Sequence, residues 1–432
     1  MNTLNCDLII IGAGPGGYEL AALEAAKGKN VVIIERQNVG GTCLNRGCIP
    51  TKCLCAEAES DNPDFQHART HMDEVITSLR EDIDRMLAGC TRVLGSASLD
   101  SDGNTVVGDT TYIAPRTVIA TGSAPSRLNI PGADLSITSD DLLSASSLPE
   151  SLCIIGGGVI GLEMASALNA LGVKVSVVEF MGEILPGFDK AIGRRLRSSL
   201  SRQGIKIIVN AQADSITRAD NSLLTVSYTS KGRQASIEAR AVLMSVGRKP
   251  VTPDGIIEAG INLDKRGHII VDDNFNTSRP GIMAIGDCCS AGPMLAHVAS
   301  AQARHIAGQH VNLNVIPSVV FTSPRVAMTG MTAEQADSML TAQGIEEKAI
   351  VTRVPYSAVG YARAANVTDG FIQAVIHPVT HQILGVHILG AHADDLLGQA
   401  TLAIAHNMTA DDIRLAIQPH PTLSELLPAA LV

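Results

Sequence analysis

The sequence lacks tryptophan, and aromatic residues make up only 3% of its 432 residues. Proteins that bind single-stranded nucleic acid stack bases on aromatic side chains, so this scarcity argues against such a role. The chain also lacks a run of lysine and arginine, and its formal net charge is −10. A duplex-binding protein neutralises phosphates with clustered basic residues. We therefore predict no nucleic-acid partner.

The sequence also has no apolar run long enough to cross a bilayer as a helix. The first residues, MNTLNCDLII, contain neither the basic segment nor the cleavage site of a signal peptide. The nine cysteines are an odd number scattered along the chain, unlike the disulfide framework of a secreted protein. We expect a cytoplasmic protein without membrane contact, in which an ordinary structural disulfide would be reduced.

One pattern occurs twice: an apolar run, a GxGxxG turn, a helical segment and a second apolar run that ends in glutamate. The first copy holds Gly12, Gly14, Gly17 and Glu35, and the second holds Gly156, Gly158, Gly161 and Glu179. In such a unit the glycines permit the tight turn, the approach of a pyrophosphate and close helix packing, while the acid binds ribose hydroxyls. One GxGxxG is weak support, but two copies with the acid at the same spacing predict two dinucleotide sites.

The residues after Glu179 bear on which dinucleotide the second site takes. They are Phe180, Met181 and Gly182, without an arginine. A carboxylate at the end of this strand accepts a hydrogen bond from a ribose 2′-hydroxyl and repels a 2′-phosphate. The pattern therefore favours NAD over NADP.

Two cysteines lie close together in GGTCLNRGCIPTK, at positions 43 and 48. They could be two buried thiols or half of a metal site, but a metal needs further ligands, and none lies nearby. We therefore predict no metal. With two dinucleotides, a dithiol suggests an electron relay from nicotinamide through flavin to a disulfide, which can cycle even in a reducing compartment. We expect a helix to begin at Cys48, which would favour its thiolate, with Lys52 adding positive charge.

Two features of the second half of the chain indicate a ligand cleft. The apolar segment GIMAIGD ends in Gly286-Asp287, and an acid at the carboxyl end of a buried strand faces the ligand crevice of an open α/β sheet. A plain turn is the alternative. Pro293 is typical of the first residue of a helix over PMLAHVASAQAR. The positive end of that helix would favour the negative charge of a reduced flavin. The alternative is a helix that begins with proline and has no role at the flavin.

The segment HPTLSE near the C-terminus offers a base. His420 could accept a proton from a thiol, with Glu425 orienting the imidazole and raising its basicity. Thr422 and Glu425 also have the spacing of a helix capping box. The residues alone leave both interpretations open.

These motifs follow one another over nearly the whole chain as GAGPGGY, GGTCLNRGCIPTK, ATG, GGGVIGLE, GRKP, AIGD, GPMLAH and HPTLSE. In this order the chain resembles the pyridine nucleotide–disulfide oxidoreductases. The resemblance implies an α/β protein with two Rossmann-like dinucleotide-binding domains and a C-terminal α+β dimerisation domain. We predict an FAD-binding domain over 1–145, an NAD-binding domain over 146–265, a return segment that completes the FAD domain over 266–313, and an interface domain over 314–432.

The resemblance also implies the site residues. Cys43 would exchange with substrate, Cys48 would lie next to the flavin, and a Lys52–Glu163 ion pair would lie beside flavin N5. The residues expected around FAD are Gly12, Gly14, Gly17, Glu35, Gly41, Thr42, Lys52, Thr121, Gly122, Asp287, Met294, Leu295, Ala296 and His297. Those expected around NAD are Gly156, Gly158, Val159, Ile160, Gly161, Glu179 and Gly247. His420 and Glu425 would form a catalytic dyad delivered by the partner subunit of a homodimer.

Within this family the chain resembles the branch that oxidises dihydrolipoyl groups. This implies flavin-dependent oxidation of a protein-bound dihydrolipoyl group with reduction of NAD, through a redox-active Cys43–Cys48 disulfide. The partner would be a lipoylated carrier, either a 2-oxo acid dehydrogenase acyltransferase or the glycine-cleavage carrier protein. One alternative is a glutathione-type disulfide reductase, disfavoured by Glu179 and Val159. The other is a flavin-binding complex subunit without turnover, disfavoured by the complete set of cysteines and dyad.

The chain departs from its relatives at three places. It is shorter between Lys52 and Thr121, Arg325 stands where relatives usually have glutamate, and Gln418 replaces a histidine. These positions surround the cysteine pair and the expected interface. They therefore bear on the choice of carrier more than on the chemistry.

Overall fold

The computed structural model describes residues 2–218 and 223–432. A five-stranded parallel sheet carries the first glycine pattern. In order across the sheet, its strands are Ile282–Ala284, Thr117–Ile119, Leu8–Ile11, Val31–Glu35 and Thr91–Leu94. Leu8–Ile11 is buried along its whole length. A continuous apolar run is what a central parallel strand needs, because both faces of the sheet are covered.

The chain leaves this first sheet and returns to it much later. Ile282–Ala284 pairs with Thr117–Ile119 in parallel register, so the segment after residue 119 and the segment after residue 284 leave the same edge of the sheet. Thr121 and Asp287 are thereby brought to the crevice where open α/β sheets bind ligands. The domain limits given above stay a prediction.

A second parallel sheet carries the second glycine pattern. In order, its strands are Lys206–Ile208, Lys174–Val178, Ser151–Ile155 and Ala241–Met244. An antiparallel meander shares its core and consists of Ala211–Arg218, Leu224–Ser230 and Arg233–Ala239. A short antiparallel pair, Ser123–Pro125 with Arg248–Pro250, joins the two folds.

The glycine turns have the same backbone geometry in both folds. Gly12 and Gly156 have φ of 105° and 110°, a region that L side chains rarely adopt. A Cβ added there would lie 2.3 Å and 2.5 Å from a neighbouring carbonyl oxygen. At Gly17 and Gly161 an added Cβ would collide with the carbonyl oxygen of the first glycine, so these two residues let each helix pack against its strand. The helices that follow are Pro15–Ala25 and Val159–Ala170.

The two cysteines lie on consecutive helices, Gly41–Arg46 and Cys48–Ala58. The expected helix start at Cys48 is confirmed, with Gly47 as its N-cap residue. The long amphipathic helix Phe65–Met86 packs against Cys48–Ala58 and leads to the edge strand of the first sheet. The cysteine segment is thereby fixed against the first fold on one side and a long helix on the other.

The helix after Asp287 begins later than expected. It spans Ala296–Ile306, and Leu295 before it has an extended backbone with φ −129° and ψ 137°. The predicted start at Pro293 is therefore wrong, because an extended residue at 295 interrupts the helical path. The remaining helices of the first two folds are Ser139–Leu143 and Lys190–Arg202.

The C-terminal part forms a separate α+β core around a five-stranded antiparallel sheet. In order, its strands are Ser318–Val320, Arg325–Gly330, Ile383–Gly390, Phe371–Ile376 and Ile350–Pro355. Its helices are Ala333–Ala342, Gly360–Ala364, Ala393–Ala405, Ala410–Arg414 and Leu426–Ala430. The predicted fold class, two Rossmann-like folds followed by an α+β domain, is confirmed.

A small sheet beside the first fold completes the strands. Its members are Asn2–Asn5, Thr110–Ile113, Thr105–Val107 and Ser98–Leu99. Over residues 2–218 and 223–432, no helix combines the length and the apolar character needed to cross a membrane.

Candidate functional site

A cavity of about 1230 Å³ opens at the carboxyl edge of the first sheet and reaches the cysteine helices and the C-terminal domain. Most of the residues expected around FAD line it. They are Gly12, Gly14, Glu35, Gly41, Thr42, Lys52, Thr121, Gly122, Asp287, Met294, Leu295, Ala296 and His297. Gly17 lies outside this lining because it faces the first strand. The cavity runs from the glycine turn to the cysteine pair, a shape that suits an elongated dinucleotide.

Cys43 and Cys48 both line this cavity. Interaction with the Cys43 thiol, together with Lys52, lowers the pKa of Cys48 against the opposing effect of burial. The pKa of Cys43 moves upward, first through its interaction with Cys48 and then through burial. Cys48 is therefore the thiol of the pair that ionises more readily, at the start of a helix whose dipole favours negative charge.

Lys52 and Glu163 meet beside the cysteine pair. Lys52 Nζ lies 3.0 Å and 2.9 Å from the two carboxylate oxygens of Glu163, which is almost fully buried. Glu163 belongs to the helix of the second fold, so the pair joins the two glycine folds. The structure thus brings together two residues that the sequence separates by more than a hundred positions, and both line the cavity.

The residues expected around NAD divide into two groups. Val159 and Ile160, at the start of the second fold's helix, line the large cavity. The others lie outside its lining, at the glycine turn and strand ends of the second fold, and they are Gly156, Gly158, Gly161, Glu179 and Gly247. The first turn of this helix therefore separates the cavity from the second glycine turn.

Glu179 is 5% exposed and follows the end of the strand Lys174–Val178 in the second fold. Its carboxylate accepts the backbone N–H of Gly157 at 2.5 Å and that of Met181 at 2.6 Å. Each carboxylate oxygen can accept more than one hydrogen bond, so the group keeps capacity for ribose hydroxyls. The next residues, Phe180, Met181 and Gly182, bring no arginine that could contact a 2′-phosphate there.

Asp287 is held by a network that sequence reasoning missed. The Ser123 hydroxyl donates to Asp287 at 2.6 Å, and Arg248 donates through Nε to Ser123 Oγ at 2.7 Å. Arg248 also donates through Nη2 to the Ser123 carbonyl at 2.8 Å. The motif GRKP contains Arg248, but its spacing along the chain carries no sign of these partners. The network orients the carboxylate of Asp287 toward the cavity that all three residues line.

His420 and Glu425 form the expected contact, and Glu425 also serves as a cap. His420 Nδ1 donates to Glu425 Oε1 at 2.9 Å, while the Thr422 N–H donates to Oε2 at 3.0 Å. Glu425 is therefore both the cap and the partner of His420, with one oxygen for each, while the role of His420 as a base stays a prediction. The hydrogen bond from His420 is the main cause that lowers the pKa of Glu425.

The same dyad lies away from the cysteines within one chain. The His420 side chain is 75% exposed. Neither His420 nor Glu425 is among the residues that line the cavity in the described chain. One chain by itself therefore does not bring the dyad to Cys43.

The fold and the paired cysteines between two glycine turns define a class of redox protein, and comparison with known families agrees. Residues 6–303 match the pyridine nucleotide-disulphide oxidoreductase family, and residues 316–431 match the dimerisation domain of the same family. The chain belongs to the pyridine nucleotide-disulphide oxidoreductases.

Individual relatives show which members of this family the chain is similar to. The chain is 36% identical to dihydrolipoyl dehydrogenase of Geobacillus stearothermophilus, over 98% of this chain and 95% of the relative. It is 34% identical to dihydrolipoyl dehydrogenase of Bacillus subtilis, over 98% and 95%. Among solved structures, the HOCl-induced flavoprotein disulfide reductase RclA from Escherichia coli superposes with a TM-score of 0.88 at 29% identity, covering 98% of this chain and 99% of that one.

Proposed function

We propose that this chain oxidises protein-bound dihydrolipoyl groups to lipoyl disulfide and reduces NAD+ to NADH, with FAD as its resident cofactor. The observation that carries the proposal is the Cys43–Cys48 pair, which lies in the glycine-lined cavity beside Lys52 and Glu163. Dihydrolipoyl dehydrogenases matched over 98% of the chain support the choice of substrate.

The residues of the large cavity fit FAD. Gly12 and Gly14 open the turn and would let a pyrophosphate approach the backbone, and Glu35, at the end of its strand, would bind the adenosine ribose. Gly41 packs so closely against Gly14 that a Cβ there would lie 2.7 Å from its Cα, which leaves the adjoining cavity free of side chain. When bound, FAD carries an electron pair between the dithiol and the nicotinamide.

The cysteines carry out the exchange with substrate. A dihydrolipoyl thiolate attacks the Cys43 sulfur of the Cys43–Cys48 disulfide, and Cys48 leaves as a thiolate. The second substrate thiolate then displaces Cys43 from the mixed disulfide, so one S–S bond is broken and one is formed. Two electrons now rest on the cysteine pair. Lys52 and the helix N-terminus stabilise the negative charge on Cys48.

His420 supplies the base that converts a substrate thiol to the attacking thiolate, and Glu425 orients its imidazole. Because the dyad lies outside the cavity of its own chain, the proposal includes a homodimer in which each subunit lends His420 to the other. The match of residues 316–431 to a dimerisation domain supports this arrangement. A lipoylated carrier protein would present the substrate arm at that junction, and the cytoplasmic location stays a prediction.

The test of the proposal is turnover of dihydrolipoamide with NAD+ in a Cys48→Ser variant. Without a second sulfur no disulfide can form, so we expect the rate to fall by at least about a thousandfold while the flavin absorbance is retained. Cys90→Ser is the matched control, because Cys90 donates to the Ala21 carbonyl on a distant helix. Turnover near the wild-type rate in Cys48→Ser would exclude the scheme.

A disulfide reductase of the same family is the second candidate, since the superposable flavoprotein from Escherichia coli is described as a disulfide reductase. Glu179 without a neighbouring arginine disfavours NADPH, which reductases of the glutathione type use. Initial rates with NADH and NADPH, each measured against lipoamide and glutathione disulfide, separate the two. A higher kcat/KM for NADPH with glutathione disulfide would favour the reductase.

A further inference from the structure

Arg325 connects three elements around the cysteine helix. Its Nη1 donates to both carboxylate oxygens of Asp394, at 2.9 Å and 2.7 Å, and its Nη2 donates to Glu59 at 2.8 Å. Glu59 is the C-cap residue of the helix that begins at Cys48, and Asp394 lies in the first turn of Ala393–Ala405. The side chains of Arg325 and Asp394 are only 24% and 18% exposed. One half-buried guanidinium therefore fastens the cysteine helix to the C-terminal domain.

The Arg325 guanidinium is also linked to Lys52, because both cations pack against the Phe321 ring. Its central carbon lies 5.7 Å from the centroid of the Phe321 ring, and Lys52 Nζ lies 4.4 Å from the same centroid. The two cations share one aromatic ring at distances where cation–π attraction acts. A shift of this ring would therefore change the position of the Lys52 ammonium group, which pairs with Glu163 beside Cys48.

The backbone around Phe321 is tied down at the other end. The Phe321 N–H donates to Glu163 at 2.9 Å, and the Ser323 N–H donates to Ser166 Oγ at 2.9 Å. Both acceptors belong to the helix of the second glycine fold. The segment 321–325 is thus held between the Lys52–Glu163 pair and the Arg325 cluster, so it can transmit a change at one end to the other.

We infer that Arg325 is a positioning residue, which holds Phe321 over Lys52 and balances the charges of Asp394 and Glu59 at the far end of the cysteine helix. The inference rests on the proposed function in one respect, the assignment of Cys48 to that dithiol. Without Arg325 the two carboxylates lose their cation, and the surroundings of Cys48 become more negative. Negative charge nearby disfavours a thiolate, so the Cys48 thiol would titrate at higher pH.

The groups that act on Cys48 lie on several elements. Cys43 lies on the preceding helix, Lys52 on its own helix and Glu163 on the second fold's helix. Arg325, Glu59 and Asp394 form a second cluster of charges at the other end of the cysteine helix. Burial raises the pKa of Cys55 on the same helix, and the charges of Lys52 and Arg325 both oppose that rise. Arg325 is the cation that can be replaced while Lys52 and Glu163 themselves stay in the chain.

The sequence allows each thiol to be followed separately. Trypsin cuts after Arg36, Arg46 and Lys52, so Cys43 falls in the peptide 37–46 and Cys48 falls alone in 47–52. The reduced holoenzyme is pulsed with iodoacetamide at a series of pH values, quenched and digested. Mass spectrometry of the peptide 47–52 then gives the alkylation rate of Cys48 against pH, without need of turnover.

In Arg325→Met we expect the midpoint of the Cys48 profile to move upward by about half a pH unit or more, because one cation is lost and two carboxylates are freed. Arg325→Lys, which keeps the charge, should return most of the shift. Asp394→Asn alone should move the midpoint downward, since it leaves the cation and removes an anion. This variant also keeps the inference testable if Arg325→Met does not fold.

Arg197→Met is the matched control, because Arg197 forms a comparable two-bond pair with Glu183 in the second fold, at 2.7 Å and 2.9 Å. It should leave the Cys48 profile unchanged. An unshifted profile in folded Arg325→Met, or an equal shift in Arg197→Met, would overturn the inference. Failure of the proposed function would instead appear as wild-type enzyme that alkylates normally at Cys48 but does not oxidise dihydrolipoamide.

Discussion

The two glycine folds make the same hydrogen bonds with their terminal acids. Glu35 accepts the N–H of Ala13 at 2.9 Å and that of Gln37 at 3.0 Å. Glu179 accepts the N–H of Gly157 and Met181 in the corresponding positions. In both folds the acid binds the residue after the first glycine and the residue two positions beyond itself. The repeat in the sequence therefore corresponds to a repeat in backbone geometry down to single hydrogen bonds.

The surroundings of the two acids differ. Glu35 is followed by Arg36, and both line the large cavity that reaches the cysteine pair. Glu179 is followed by Phe180 and Met181, whose side chains are 65% and 49% exposed. Equal turns thus face unequal environments. From this comparison we infer that the glycine pattern provides the turn that a dinucleotide needs, whereas the residues packed at the strand ends select which dinucleotide binds.

The largest expected effect on cofactor binding comes from replacing the first glycine of each glycine turn with alanine. Gly12→Ala should abolish flavin binding, because an L side chain at φ 105° is strained and its Cβ would lie 2.3 Å from a carbonyl oxygen. Gly156→Ala should retain flavin and lose NAD-dependent turnover by at least about a hundredfold. Visible absorbance of the purified protein and steady-state rates distinguish the two variants.

Gly28→Ala is the control for strain alone, since Gly28 has φ 81° and no atom within 4 Å of an added Cβ. It should keep both flavin and turnover, with a small loss of stability. Loss of flavin in Gly156→Ala would contradict the assignment of the two folds.

A smaller effect is expected from the acid of the C-terminal dyad, which belongs to neither glycine fold. Glu425→Gln should lower kcat/KM for dihydrolipoamide by about a hundredfold, because the imidazole loses its orienting charge. The hydrogen bond from His420 holds the pKa of Glu425 below its usual range. The carboxylate is therefore ionised above that lowered pKa, and its contribution disappears only as the pH falls through it.

The carboxylate should accordingly stay ionised from pH 8 down to about pH 5, above the ordinary range for glutamate, so kcat/KM of Glu425→Gln should stay below the wild-type value throughout this range. Rates of both enzymes in matched buffers measure this difference. Equal kcat/KM values between pH 8 and pH 6 would mean that Glu425 does not act as a permanent charge.

The smallest effect sharpens the comparison of the two acids. Glu179→Ala should raise the KM for NADH about tenfold and narrow the preference over NADPH, because hydrogen bonds to the ribose are lost and repulsion of a 2′-phosphate is relieved. Glu35→Ala, the matched variant, should weaken flavin retention and leave the coenzyme preference unchanged. Parallel titrations with NADH and NADPH give both constants, and an unchanged ratio in Glu179→Ala would place the selectivity elsewhere.

Local patterns account for much of what could be predicted. The glycine turns, the buried parallel strands and the helix at Cys48 depend on residues within a few positions of one another. For the helix Ala296–Ile306 the sequence predicts a start three residues too early, at Pro293, since proline permits a helix start but the extended Leu295 decides where it falls. Sequence spacing could not resolve Glu425 either, because the same carboxylate serves as cap and as partner of His420.

By itself, the sequence was enough to predict two dinucleotide folds, a redox-active cysteine pair and NAD as the coenzyme of the second site, because each depends on short-range geometry and on charge. Only the tertiary structure decided which distant side chains meet. Ser123 and Arg248 hold Asp287, and Arg325 shares Phe321 with Lys52, through contacts between elements far apart in the chain. The physical reason is that hydrogen bonds and cation–π contacts act over a few ångströms, so packing of the domains has to bring their partners into reach.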